Sequence, residues 1–253
     1  MTKRDQYQGF GSPKAALLGA AREALGAPAL VLCGSYLGFG ALIRSSDLPL
    51  IVGMLSTITG WALPGQIAMV ELWAVGASLL SVGLAVALTN VRLLPMTLAL
   101  MPHLRAPGTP RWRYYAASHL IAVTGWVQSM QRCPTLPVAE RLPFLVGFSG
   151  FLWIATITAT AVGYWLSGLV PASVSLGLVF LNPIYFMLVL SADIRERSRA
   201  WAMAFGAVAG PLAHLVSPEW GLLGAGLVAG TLAFVLDRWL TGHATRPDRG
   251  QGR

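Results

Sequence analysis

Charge is scarce in this chain. Of its 253 residues, 11% are Asp, Glu, Lys or Arg and 55% are hydrophobic, and the mean hydropathy is +0.62. A soluble domain carries roughly 25% charged residues. The chain therefore cannot cover a water-facing surface, and lipid has to be the solvent for much of it. Cysteine is nearly missing. Cys33 lies in an apolar run and Cys133 in a polar linker, which excludes a disulfide framework and a cysteine metal motif. The four histidines, His103, His119, His214 and His243, show neither HExxH nor paired spacing, so no metal or other cofactor is expected. There is no Gly-x-Ser-x-Gly, no phosphate-binding Gly loop and no paired-carboxylate cluster, which argues against an enzyme. β-barrel alternation is absent as well. What is left is an all-α protein, a polytopic integral membrane helical bundle. Its first apolar run begins only near Leu25 after a polar and basic lead, and no small-residue cleavage site follows, so no cleavable signal is expected.

What charge there is has a pattern. The net charge is +8, and the basic side chains cluster in short polar segments between apolar runs rather than along one face. That is the positive-inside distribution of a membrane protein, not a nucleic-acid footprint. Almost all Lys and Arg fall in the termini and in loops 105–113, 132–141 and 193–199. This puts both termini and those loops on the cytoplasmic side of a multi-pass protein of the cytoplasmic (inner) membrane, with about six or seven transmembrane spans and one or two segments that do not cross fully.

In chain order, residues 1–26 read as a cytoplasmic segment. Ser12-Pro13 is a helix start, and 14–26 form an amphipathic helix at the interface, with Arg22 and Glu23 opposite an Ala/Leu face. The transmembrane domain is expected over 27–240. Its first span, 27–43, carries Gly34 and Gly38 in a G-x-x-x-G spacing, then Gly40, residues that let helices approach closely in lipid. The run 48–60 is short of the roughly 20 residues needed to cross. Residues 66–89 read as a full span, Thr89-Asn90-Val91-Arg92 interrupts it, and 93–103 is again too short. Residues 114–131 have three open readings: a span inside the bundle, a re-entrant segment or an interfacial one. Four apolar runs follow at 143–166, 169–190, 200–216 and 221–238, with Gly206/Gly210 and Gly226/Gly230 repeating the small-residue spacing. A basic, disordered tail is expected at 241–253.

The chemistry concentrates in Trp61 to Arg92. Gly60, Pro64 and Gly65 break the backbone inside an apolar region, where each unsatisfied N–H or C=O costs several kcal/mol unless protein or a water-filled cavity meets it. The free N–H groups expected at Gly65–Ala68, beside Gln66, suit a carboxylate, and the carbonyls near Gly60 and Trp61 suit an ammonium. Discontinuous helices offer both ends, as a zwitterion requires. The bland reading is a plain loop. Glu71 is a candidate proton carrier or a partner of Arg92; otherwise it is a carboxylate near a helix N-terminus. Asn90 and Arg92 can turn inward at a helix end, to bond free backbone groups and hold a carboxylate; otherwise Arg92 snorkels to the interface. Asn182-Pro183 interrupts the 169–190 run and gives a second broken helix in the other half of the chain, against the alternative of an ordinary proline kink.

These residues carry a resemblance. The segment GQIAMVELWAVGASLLSVGLAVALTNVRLLPMTLALMPHLR (65–105) holds a small-small-Gln turn at Pro64-Gly65-Gln66, then Gly76-Ala77-Ser78, Asn90-Val91-Arg92 and Pro102. Together with LVFLNPIYFMLVL (178–190), it resembles the AzlC family of branched-chain amino acid exporters, over roughly residues 15–240. The resemblance implies export of L-valine and related apolar amino acids driven by an ion or proton gradient, a small AzlD-type membrane subunit as partner, and functional roles for Gln66, Asn90 and Arg92. Two positions depart from the family pattern. Its Thr-Asp-Glu reads Thr124-Gly125-Trp126 here, and the His that often follows the Arg is Leu93. With the acidic pair gone, Glu71 is left as the coupling candidate. The competing class is a non-transporting membrane scaffold or assembly subunit. The two separate on one measurement: as a transporter, Asn90→Ala or Arg92→Ala abolishes valine efflux while the protein stays in the membrane, and normal efflux in both variants excludes the reading.

Overall fold

The computed structural model describes residues 9–167, 197–216 and 221–244, with 169, 171, 173, 174, 176, 177, 180 and 184 between them. Every described element is helical. The chain divides into two units, Met1–Tyr185 and Phe186–Arg253. Three helices are long and apolar enough to cross a membrane: Ala27–Ser45, Leu79–Leu104 and Val138–Leu166. Two shorter apolar ones, Leu50–Gly60 and Trp201–Ala213, join them. The protein is an all-helical membrane protein.

The first unit is built on one long helix, Val138–Leu166, numbered α9 below. Its 29 residues span about 43 Å, and it starts five residues before the apolar run that predicts it. Two helices lie against it along glycines. In α2 (Ala27–Ser45), a Cβ on Gly40 would stand 2.1 Å from the Thr160 carbonyl oxygen, and one on Gly163 of α9 would stand 2.0 Å from that of Leu37. The two backbones therefore touch with no side chain between them, as small residues permit in lipid. In α1 (Pro13–Ala24), the Ser12 Oγ accepts from Ala15 N at 3.1 Å and Pro13 opens the first turn. Ala16, Ala20 and Ala24 are fully buried, and Gly147 of α9 admits the Leu17 carbonyl at 2.1 Å from its missing Cβ. The face expected to lie on lipid is thus covered by α9. The lead into α1 is tied down too, by Phe10 N donating to Glu140 Oε2 at 2.7 Å and by an Arg132–Glu23 ion pair. Tyr36, Phe39, Phe144, Phe148 and Leu152 fill the core between these helices.

The middle of the chain differs from its sequence reading in three ways. First, 66–89 is not one span. Helix α4 (Leu63–Ala74) stops where Gly76 takes a φ of 72°, with Gly76 N and Ala77 N closing on the Trp73 and Leu72 carbonyls. Ser78 then caps α5 (Leu79–Asn90), its Oγ accepting from Ser81 N at 3.2 Å. Second, the interruption at 89–92 is only a turn. Val91 and Arg92 keep right-handed helical dihedrals, so α5 runs into α6 (Leu93–Leu104) as one 26-residue apolar stretch. Third, 114–131 becomes two short helices, α7 (Arg111–Ser118) and α8 (Val123–Arg132), joined by a turn at 119–122. At 8 and 10 residues, neither is long enough to cross. Cys133, just after α8, is fully buried; burial pushes its thiol up to about 11, against the pull of the Arg141 charge.

In the second unit, helices Arg197–Val216 and Gly221–Ala244 pack on each other. The second runs to Ala244, four residues into the stretch expected to be disordered tail, because the apolar face continues through Trp239. Its buried stripe is Ala225, Ala229 and Ala233, one residue before Gly226 and Gly230, whose missing Cβ atoms face open space.

Gly40→Ala and Gly163→Ala should each destabilise the protein by about 1–3 kcal/mol, since backbone has to move aside. Gly226→Ala should not. Thermal unfolding in detergent distinguishes the two sets.

Candidate functional site

The break after Gly60 is present. Helix α3 (Leu50–Gly60) ends as Trp61 leaves helical dihedrals (φ 5°, ψ 51°), and α4 restarts at Leu63 with Pro64 in its first turn. The restart comes two residues earlier than the sequence suggests, because Pro64 fits a first turn, where its missing N–H costs nothing. Gln66 N already bonds Ala62 O at 3.2 Å, so the expected row of free N–H groups over Gly65–Ala68 shrinks to Leu63 and Gly65. On the other side of the break, no backbone N–H among the described residues reaches the carbonyls of Ile58, Thr59 and Gly60.

A polar network holds the break open. Gln66 is 3% exposed and bonded at both ends of its amide. The Tyr36 hydroxyl donates to its Oε1 at 3.0 Å, and its Nε2 donates to Ser56 Oγ at 3.0 Å and Thr57 Oγ1 at 2.9 Å. Thr57 in turn meets Thr160 of α9 at 3.3 Å, and Trp61 Nε1 donates to Thr156 Oγ1 at 2.9 Å. Gln66 thus pins α4 to α2 and α3, Trp61 pins the break to α9, and both Gln66 N–H groups are used.

The remaining candidates separate. Asn90, at the end of α5, reaches the break: its Oδ1 lies 2.8 Å from where a Gly65 Cβ would be. That oxygen is buried without a hydrogen-bond partner. Arg92, two residues on, is exposed and bonds nothing among the described residues. Glu71 is also exposed, and no ion pair joins it to Arg92. Asn182 and Pro183 lie outside the described residues.

Beside the break is a cavity of about 350 Å³. Thr59, Gly60 and Trp61 form one wall, so the unpaired end of α3 borders the cavity. Leu93, Leu94 and Thr97 of α6 form a second, and Ser118, His119 and Ile121 of the α7–α8 turn a third. The size is at the low end for ligand sites, mostly apolar with a few polar groups, as small-molecule sites are. His119 Nε2 lies 2.7 Å from the Ile58 carbonyl oxygen, and its ring stands edge-on to Trp153 at 5.7 Å. Sequence reasoning misses the second and third walls, because only the folded chain brings 93–97 and 118–121 to residue 60. Thr156 and Thr160, four apart in an apolar run, did carry a signal of a polar stripe on α9.

The match to known proteins lies in the same region. A family model described as AzlC protein matches residues 28–170. No curated protein and no solved structure matches.

The network has a measurable strength. Gln66→Ala leaves the buried Tyr36 hydroxyl unpaired, at about 1–3 kcal/mol, and a double-mutant cycle with Tyr36→Phe should return a coupling of about 0.5–3 kcal/mol. Additive unfolding shifts would mean that the Tyr36–Gln66 bond contributes nothing.

Proposed function

The chain belongs to the AzlC family, associated with branched-chain amino acid transport, and on that premise we propose that it exports L-valine-like apolar amino acids across the cytoplasmic membrane. One observation carries the reading: the unpaired carbonyl end of α3 borders a cavity whose other walls combine Leu93, Leu94 and Ile121 with a few polar groups. The Thr59 and Gly60 carbonyls hold the substrate ammonium at the negative end of the helix dipole. Leu93, Leu94 and Ile121 take the apolar side chain. The carboxylate lies toward the start of α4, at Leu63 and Gly65, where the Asn90 carboxamide also reaches and its Nδ2 can donate. Gln66, fully bonded, acts by holding the break in shape. Pro64 fixes the entry angle of α4. Arg92 stands beside the cavity walls Leu93 and Leu94 as the long-range counter-charge for the carboxylate.

A small AzlD-type membrane subunit completes the transporter in this reading, both termini face the cytoplasm, and the chain itself catalyses no reaction.

The test is counterflow of labelled valine, leucine and methionine in vesicles, with and without the small subunit. Exchange of valine and leucine above that of empty vesicles supports the reading, and its absence under both conditions refutes it. Gly65→Ala is a sharper probe. Its methyl displaces the Asn90 carboxamide, a flexible group, so folding should be little changed while exchange falls about tenfold, the loss of one interaction worth about 1.4 kcal/mol.

A further inference from the structure

We propose that His119 is the proton-binding group of the transport cycle, and that its proton and the substrate ammonium exclude one another at the carbonyl end of α3. The proposal rests on the transport reading above and names how that site is coupled.

Of the residues lining the cavity, His119 is the only titratable one. Its Nε2–H donates to the Ile58 carbonyl, one of the three that α3 leaves without a backbone partner. No group among the described residues bonds Nδ1. The ring is exposed to the cavity, so Nδ1 takes a proton while Nε2 keeps its bond. Histidine is the side chain suited to change charge in the physiological range.

The surroundings set the sign. An imidazolium at a helix C-terminus is favoured by the dipole. A substrate ammonium uses the same partial negative charge, from the Thr59 and Gly60 carbonyls. Two cations a few ångström apart repel, the more so the less water lies between them. Proton-loaded and substrate-loaded states therefore alternate, which is exchange of one proton for one zwitterion. The proton joins Nδ1 from water on the side of lower pH and leaves to water on the other.

No neighbouring acid among the described residues offers a competing site. Helix α3 has no ionisable residue. In α6 there is only His103, in the last turn, and Arg92 precedes the helix. Helix α7 carries Arg111, Arg113, Tyr114 and Tyr115, and α8 carries Arg132. On α9, Glu140 and Arg141 lie about 20 Å along the axis from Trp153, and Tyr164 lies beyond it on the other side. Glu71 is on α4, exposed and outside the cavity lining.

The experiment uses the full chain with its small subunit in vesicles. Valine counterflow is measured at equal pH on both sides from pH 5 to 8, and valine accumulation under an imposed pH gradient. Wild-type affinity should fall about tenfold per pH unit below the histidine titration, as one-proton competition requires. His119→Gln retains a donor for Ile58 without the charge. It should show affinity independent of pH and lose accumulation under the gradient. Accumulation by His119→Gln within twofold of wild type overturns the proposal, as does a flat wild-type pH series. A pH response lost in Glu71→Gln and kept in His119→Gln overturns it in favour of Glu71. If His119→Gln exchanges nothing, the wild-type pH series decides. No counterflow by the wild type at any pH sinks the transport reading, and the proposal with it.

Discussion

Everything in the first unit depends on how closely α2 and α9 approach. With Gly40 against Thr160 and Gly163 against Leu37, the helices meet backbone to backbone. In lipid no hydrophobic effect presses two apolar helices together, so dispersion and close fit have to hold them. That contact brings Tyr36 of α2 and Thr156 and Thr160 of α9 to the same level. Between them there is room for one polar cluster, and Gln66, Thr57 and Trp61 fill it. The break at Gly60 thus sits in a fixed frame, flanked by side chains from three helices.

The network and the cavity have different physical characters. Hydrogen bonds among Tyr36, Gln66, Ser56 and Thr57 are enclosed and mutually satisfied, and such clusters specify a single arrangement. The cavity side is incomplete, with the Thr59 and Gly60 carbonyls and Asn90 Oδ1 lacking protein donors among the described residues. Groups left in that state at membrane depth are costly, and the cost is offset when a ligand or water meets them. One residue set is closed on itself, and the adjacent one is left open.

Much of the architecture was legible. Low charge and long apolar runs gave a helical membrane protein, and Pro64 with Gly65 marked where a helix restarts. Other features were not. Gly76 and Ser78 are a good C-terminal stop and N-cap, yet they sit in an apolar run long enough to read as one span. Asn90 and Arg92 look like a loop because both are polar, but a turn that keeps helical dihedrals accommodates them. Of the site, the first cavity wall could be read from local sequence, since Thr59, Gly60 and Trp61 are adjacent. His119 could not, because its partner Ile58 is 61 residues away and only the fold of α7 and α8 joins them.

The joining of α5 and α6 fixes a depth. Asn90 is the twelfth of 26 residues in that stretch, about 17 Å of helix from one end and about 21 Å from the other. The hydrocarbon core is about 30 Å thick. By helix length, the contact between Asn90 and Gly65 therefore lies near the middle of that apolar stretch, well away from both ends. A polar contact at that depth is far from water on either side, so protein groups have to satisfy it.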